Sequence, residues 1–349
     1  MPEKFSHTEE EWHRITDEAY SNKISALLCE AIELLPAGQR PPKDVIMTLV
    51  AQKEACEANY SKAREALQTL ERLLAEEERS QNKKSTSLPP LPLRIVKGFV
   101  LADLYPTPQH RTFSDIDLYT GPHTGALALL LEEHGITCLR HNPRHITFCF
   151  HGVTIEAHQY LFFFDKDRSI YDTCTPLSMP PAWQALFLAA HACYDSLFFD
   201  YPVSLRTCLD WTLLLRSMDS KEIACLFEEK KGSTSAYFAD ALTAYCHLLF
   251  PEARLERYFE GQDDAQDATQ GKRTTHHTLA EASAIPFKAM FCQCRPRDGH
   301  AFVRVWHRSY KYIVYNKYYK KLFGKSMFSA FYFNNLWVAL KQHAKHIKQ

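Results

Sequence analysis

Asp115 and Asp117 stand one residue apart in the segment Ser114-Asp115-Ile116-Asp117-Leu118. On a β-strand, residues two apart project from the same face. The two carboxylates are therefore expected side by side, with Ile116 and Leu118 turned into a core. Adjacent carboxylates resist joint ionisation unless a cation sits between them. Mg²⁺ meets that need, because it takes carboxylate oxygens together with substrate phosphates; Mn²⁺ is the alternative ion. On this reading an Asp117→Asn change relieves repulsion and costs the metal-free fold little. Upstream, Lys97-Gly98 closes a short apolar run at an expected strand-to-helix turn, where a glycine lets backbone N–H groups approach a phosphate. Downstream, Thr154, Glu156 and His158 share one face of a later strand, and Val153, Ile155 and Ala157 share the other. Glu156 is thus a third acid, able to ligate a metal or to accept a proton from an attacking hydroxyl.

Several of these segments together resemble a known family. The run Ile95-Val96-Lys97-Gly98-Phe99-Val100-Leu101-Ala102-Asp103-Leu104-Tyr105-Pro106, then Arg111, then Ser114–Leu118, is similar to a largely uncharacterised bacterial nucleotidyltransferase family with a "KG…YP…R…DIDL" signature. Ile155-Glu156-Ala157-His158 resembles its "IElH" strand, and His191, Arg206 and Leu209-Asp210-Trp211 resemble its downstream helical part. The resemblance spans Leu93–Ser217. It implies the DNA polymerase β-like nucleotidyltransferase fold, an α+β architecture in which helices flank a small mixed sheet. It also implies a nucleoside triphosphate as substrate and Mg²⁺ as cofactor, with Mn²⁺ as a substitute. Asp115, Asp117 and Glu156 would be the catalytic and metal-holding residues. Lys97, Gly98 and Ser114 would bind the nucleotide, and Arg111 would either contact the triphosphate or pair with a carboxylate to hold the proline loop. The acceptor, whether small molecule, protein or RNA, is not implied. The broader superfamily usually carries Gly-Ser or Gly-Gly where this chain has Lys97-Gly98, and Ser114 replaces a glycine common in the family.

The elements that must position these residues follow from periodicity. Ile24, Leu27, Leu28, Ile32 and Leu35 recur at helical spacing, and Pro36-Ala37-Gly38 and Pro41-Pro42 break the pattern. A long amphipathic helix is expected over Lys43–Glu78, then a polar, proline-rich linker over Ser80–Pro92. Short strands are expected at Leu93–Val96 and Ile116–Tyr119, with a short helix at Phe99–Leu104 and a proline loop at Tyr105–Arg111. A helix over Leu127–His134 stops at Gly135. Strands at His145–Phe150 and Val153–Phe163 flank a hairpin turn at His151-Gly152. Beyond Pro181 the texture is helical, at Trp183–Tyr194 and Leu205–Ser217. This divides the chain into an N-terminal helical region (1–88), a mixed catalytic core (89–180) and a C-terminal helical region (181–349).

Composition bounds the rest. The 349 residues carry 41 Lys and Arg against 41 Asp and Glu, so net charge points to neither nucleic acid nor membrane. The start Met1-Pro2-Glu3-Lys4 has no apolar run behind it, and no uncharged apolar stretch reaches the roughly 18–20 residues of a membrane helix. Eleven cysteines, an odd number without a framework pattern, read as reduced thiols in a cytoplasm. Cys292-Gln293-Cys294, near His276, His277 and His300, lacks the paired spacing of a structural zinc site. From Ala301 onward, Lys317, Lys320 and Lys321 alternate with Tyr315, Tyr318 and Tyr319. That pattern suits a packing helix with solvated lysines better than a grip on RNA. Two rival functions stand beside a nucleotidyltransferase of unknown acceptor. One is a nucleotide-binding or interaction protein without turnover; the other is an RNA-directed enzyme that uses the basic C-terminus.

Overall fold

The computed structural model describes residues 7–83, 94–141, 145–159, 180–196, 202–219, 222–223, 234–255 and 258. Residues 84–92 of the expected linker, the polar 261–277 stretch, the Cys292-Gln293-Cys294 pair and the basic C-terminus lie outside the described residues. The chain divides into two compact units, Met1–Pro180 and Pro181–Gln349.

The first unit begins with α1 (Glu9–Ser21), α2 (Ser25–Glu33) and α3 (Lys43–Lys83). Thr8 and Glu11 form a reciprocal capping box that starts α1. Trp12, Cys29, Ile32, Val45 and Leu49 bury one another where the three helices meet. The 41 residues of α3 continue past the expected end at Glu78. Arg79-Ser80-Gln81-Asn82-Lys83 is polar but contains no breaker, so the helix runs on through the first residues of the expected linker. At 1.5 Å per residue α3 is about 60 Å long. Its first turns serve the helical core, and its later turns carry Tyr60, Ala63, Leu67, Leu70 and Leu74 into a second core.

That second core lies under a five-stranded mixed sheet. β1 (Arg94–Val96), α4 (Gly98–Ala102), β2 (Ile116–Tyr119), α5 (Thr124–Glu133), β3 (Cys138–His141), β4 (His145–Phe150) and β5 (Val153–His158) follow in sequence. The strand order is β1-β2-β5-β4-β3. β2 and β5 run parallel, and the other neighbours are antiparallel. Ile116, Leu118, Ile155, Ala157, Ile146 and Phe148 pack from the sheet onto α3 and onto Leu127 and Leu131 of α5. The period-two alternation thus delivers one apolar face to the helices and one polar face away from them. The β4–β5 turn takes φ of 48° at His151 and 69° at Gly152. Positive φ at both central residues is the requirement of a tight hairpin turn. β3, an edge strand with a register shift between Cys138 and Arg140, has no clear alternation in its sequence and was not expected.

In the second unit, α6 (Pro181–Tyr194), α7 (Leu205–Ser217) and α8 (Thr234–Leu249) pack on one another. Ser204 caps α7 by accepting from the Thr207 amide. The Trp211 indole donates to Thr243 Oγ1 at 2.9 Å, and the Tyr258 hydroxyl donates to Asp240 at 3.0 Å. His191 pairs with Asp195 one turn along its own helix at 3.1 Å, and Asp210 is buried. Among the described residues no helix is long and apolar enough to cross a membrane.

Candidate active site

The polar face of the sheet gathers the acids across the parallel β2–β5 seam, the one parallel pairing among the described residues. Asp117 on β2 and Glu156 on β5 are register partners on adjacent strands. In a parallel pair such partners share a face, so the fold forces two carboxylates together. His158, two residues beyond Glu156, joins the same face. Its Nε2 lies 2.9 Å from Asp117 Oδ1 and 3.8 Å from Glu156 Oε2. One donor atom each from Asp117, Glu156 and His158 falls within 4.8 Å of the others. From β4, His145 Nε2 stands 3.7 Å from the other Glu156 oxygen, and the two imidazole rings are 5.1 Å apart.

The turn after β1 supplies a cation. Lys97 Nζ donates to Asp117 Oδ2 at 3.2 Å. Lys97 holds φ 51° and ψ −131° where β1 hands over to α4. A side chain at positive φ is strained by about 1–3 kcal/mol and persists only where its surroundings over-determine it. Here the Asp117 ion pair, with only 13% and 6% of the two side chains exposed, does so. Gly98 follows at φ 28°, where a Cβ would sit 4.0 Å from the Asp115 carbonyl. The Lys97-Gly98 turn and the start of β2 are therefore immediate neighbours.

Asp115 stands just before β2 and is half-buried, and its Oδ1 accepts from the Ser114 hydroxyl at 3.0 Å. It is outside the set formed by Asp117, Glu156 and His158. Arg111 is buried to 3% exposure at the end of the proline loop. The structure therefore brings Asp117, Glu156 and Lys97 into contact range of one network. It sets Gly98, Asp115 and Ser114 around the adjoining turn.

The proline loop is fixed by residues that sequence reasoning did not single out. His110 is buried, and its Nδ1 and Nε2 lie 2.7 Å from Glu30 of α2 and 2.7 Å from Glu57 of α3. Thr107 also donates to Glu30 at 2.9 Å, and the Cys56 thiol donates to the Gln109 carbonyl at 3.2 Å. Burial pushes the Cys56 thiol up, which keeps it a neutral donor. No short-range pattern links residues so far apart in the chain. A second described cluster, Glu9, His13 and Asp44, is fully on the surface of α1 and α3.

The donor set fits a divalent cation. Two carboxylates forced together across a strand seam, with an imidazole against both, offer three ligand atoms that need positive charge between them. A comparison with curated proteins gives no match, and a comparison with solved structures gives none. A family model described as "Uncharacterised nucleotidyltransferase" matches residues 8–251. The match extends beyond Leu93–Ser217 to include the residues of α1–α3 and α8. With most of its length matched and a mixed α+β sheet carrying clustered acids, the chain belongs to this nucleotidyltransferase family.

Proposed function

We propose that this protein transfers a nucleotidyl group from a nucleoside triphosphate to an acceptor, in a reaction that depends on a divalent ion. The observation that supports this best is the Asp117–Glu156 register pair beside the Lys97-Gly98 turn. Asp117 and Glu156 would hold the ion. Asp115, nearer solvent, would receive the ion that accompanies the triphosphate. When bound, such ions hold the phosphates in line and neutralise charge that develops on the attacking and leaving oxygens. The Lys97 ammonium and the backbone amides at the Gly98 turn would bind the phosphate chain, with the Ser114 hydroxyl at the rim. Glu156, flanked by His145 and His158, would also accept the acceptor's proton as the acceptor oxygen bonds to the α-phosphorus and pyrophosphate leaves.

One observation keeps nucleotide binding without turnover as a second reading: the Lys97 ammonium already neutralises Asp117. Thermal denaturation with each nucleoside triphosphate and Mg²⁺ or Mn²⁺ tests both readings. A triphosphate at 100 times its dissociation constant should stabilise the native state by about 2.7 kcal/mol. Asp117→Asn should abolish that shift. Pyrophosphate released in the presence of lysate acceptors marks the enzyme, and a shift without release marks the binder. Indifference to every triphosphate would overturn both.

A further inference from the structure

We propose that the ion of the site described above is ligated by His158 Nε2 together with Asp117 and Glu156, and that this nitrogen-bearing set selects a first-row transition-metal dication over magnesium. The inference rests on the reading of the site as a metal-dependent one, but it adds His158 as a ligand and narrows the class of the ion.

Geometry carries it. Ligand atoms about 2.1 Å from an ion and at right angles around it are about 3 Å apart. His158 Nε2 and Asp117 Oδ1 are already 2.9 Å apart, and Glu156 Oε2 is 3.8 Å from the same nitrogen. A small rotation of Glu156, the most exposed of the three at 25% of its side chain, closes the set. The ring itself is 3% exposed and the β2–β5 register holds it against both acids. Lys97 Nζ stands 3.2 Å from the other carboxylate oxygen, Oδ2, while Oδ1 faces the imidazole. One carboxylate can therefore bridge the ammonium and the ion. Asp115 is less well placed, since its carboxylate accepts from Ser114 and stands outside the cluster.

Donor chemistry then selects the ion. Magnesium favours oxygen donors in near-ideal octahedra and gives up its waters reluctantly. A neutral imidazole suits first-row transition ions, and two carboxylates suit manganous ion in particular. Ligation uses the lone pair on Nε2 with the ring hydrogen on Nδ1.

The test is pulsed electron paramagnetic resonance on the full-length protein loaded with one equivalent of Mn²⁺, with calorimetric titrations of Mn²⁺ and Mg²⁺ alongside. Wild type should show coupling from a nitrogen ligand, and labelling histidine with the heavy nitrogen isotope should change that coupling. Should His158→Gln fold poorly, the labelling arm, which needs no substitution, identifies a histidine ligand, and His145→Gln in the labelled protein separates His158 from its neighbour. His158→Gln should lose the coupling and weaken Mn²⁺ binding by about 10–100-fold, while Mg²⁺ binding changes far less. His145→Gln should retain the coupling. Oxygen-only coupling, coupling that survives His158→Gln, or no bound ion would each overturn the proposal. A His158-dependent coupling in a protein indifferent to every triphosphate would uphold this ligation while overturning the nucleotide reading.

Discussion

Lys97 joins two costs that can be separated by substitution. Its backbone is held at positive φ, and its ammonium neutralises an Asp117 carboxylate that is almost fully buried. Lys97→Met removes the charge and keeps the strain, whereas Lys97→Gly removes both. The glycine variant should therefore be the more stable of the two by about 1–2 kcal/mol in urea unfolding. Both should bind triphosphate more weakly than wild type. The same ion pair revises an expectation drawn from the acid spacing alone. Asp117→Asn does not simply relieve repulsion, because Lys97 and His158 lose the negative charge, and one of them the acceptor oxygen, of a shared buried carboxylate. A metal-free loss of about 3–5 kcal/mol is expected, typical of breaking one side of a buried pair. Period two and a family signature both mark Asp115 just before β2, Asp117 within it and Glu156 of β5 in the sequence. The partners of Asp117 were not legible there, because strand pairing, not sequence spacing, brings His158 alongside it.

Among the elements, the proline loop depends on helices that precede it by more than one turn of the fold. His110 joins Glu30 of α2 to Glu57 of α3, and both ring nitrogens face carboxylate oxygens. His110→Ala would take a hydrogen-bond partner from two half-buried carboxylates, of which Glu30 keeps Thr107, with an expected cost of about 2–3 kcal/mol in urea unfolding. The variant should also lose triphosphate affinity, since the loop leads directly to Arg111 and Ser114. A stability loss with unchanged nucleotide binding would show that the clasp is independent of the site. The helices and most strands were legible from apolar periodicity, and the bounds of α7 agree with the expected Leu205–Ser217. The clasp was not legible, because Glu30, Glu57 and His110 look like ordinary solvated residues until α2, α3 and the loop are placed together.

For the whole molecule, the described cysteines are free thiols, and several are buried in both units. Burial pushes the Cys56 thiol up, and burial with the nearby Asp195 carboxylate pushes Cys193 well up. A hydrogen bond with Cys246, along with burial, does the same for Cys208. A thiol with a raised folded pKa keeps its proton at a pH where the unfolded chain has lost it. Folded stability should therefore fall as pH climbs through the ordinary thiol value of about 8.5. Melting temperatures recorded from neutral to alkaline pH should show that decline. Cys193→Ala should start lower at neutral pH, because it opens a cavity, yet decline less steeply.

The single parallel seam has a consequence for how the protein comes into being. β4 and β5 form a hairpin of neighbouring residues, so Glu156 and His158 can assemble early and locally. Asp117 reaches them only when β2 docks beside β5, across an intervening helix and two strands. Pairings that close long loops are slow and contribute late, because chain entropy is lost before contacts compensate it. The three ligand atoms should thus first meet in the last step that makes the sheet whole. A chain that has not finished folding carries no such trap for stray metal, and an ion that binds would slow unfolding without hastening folding.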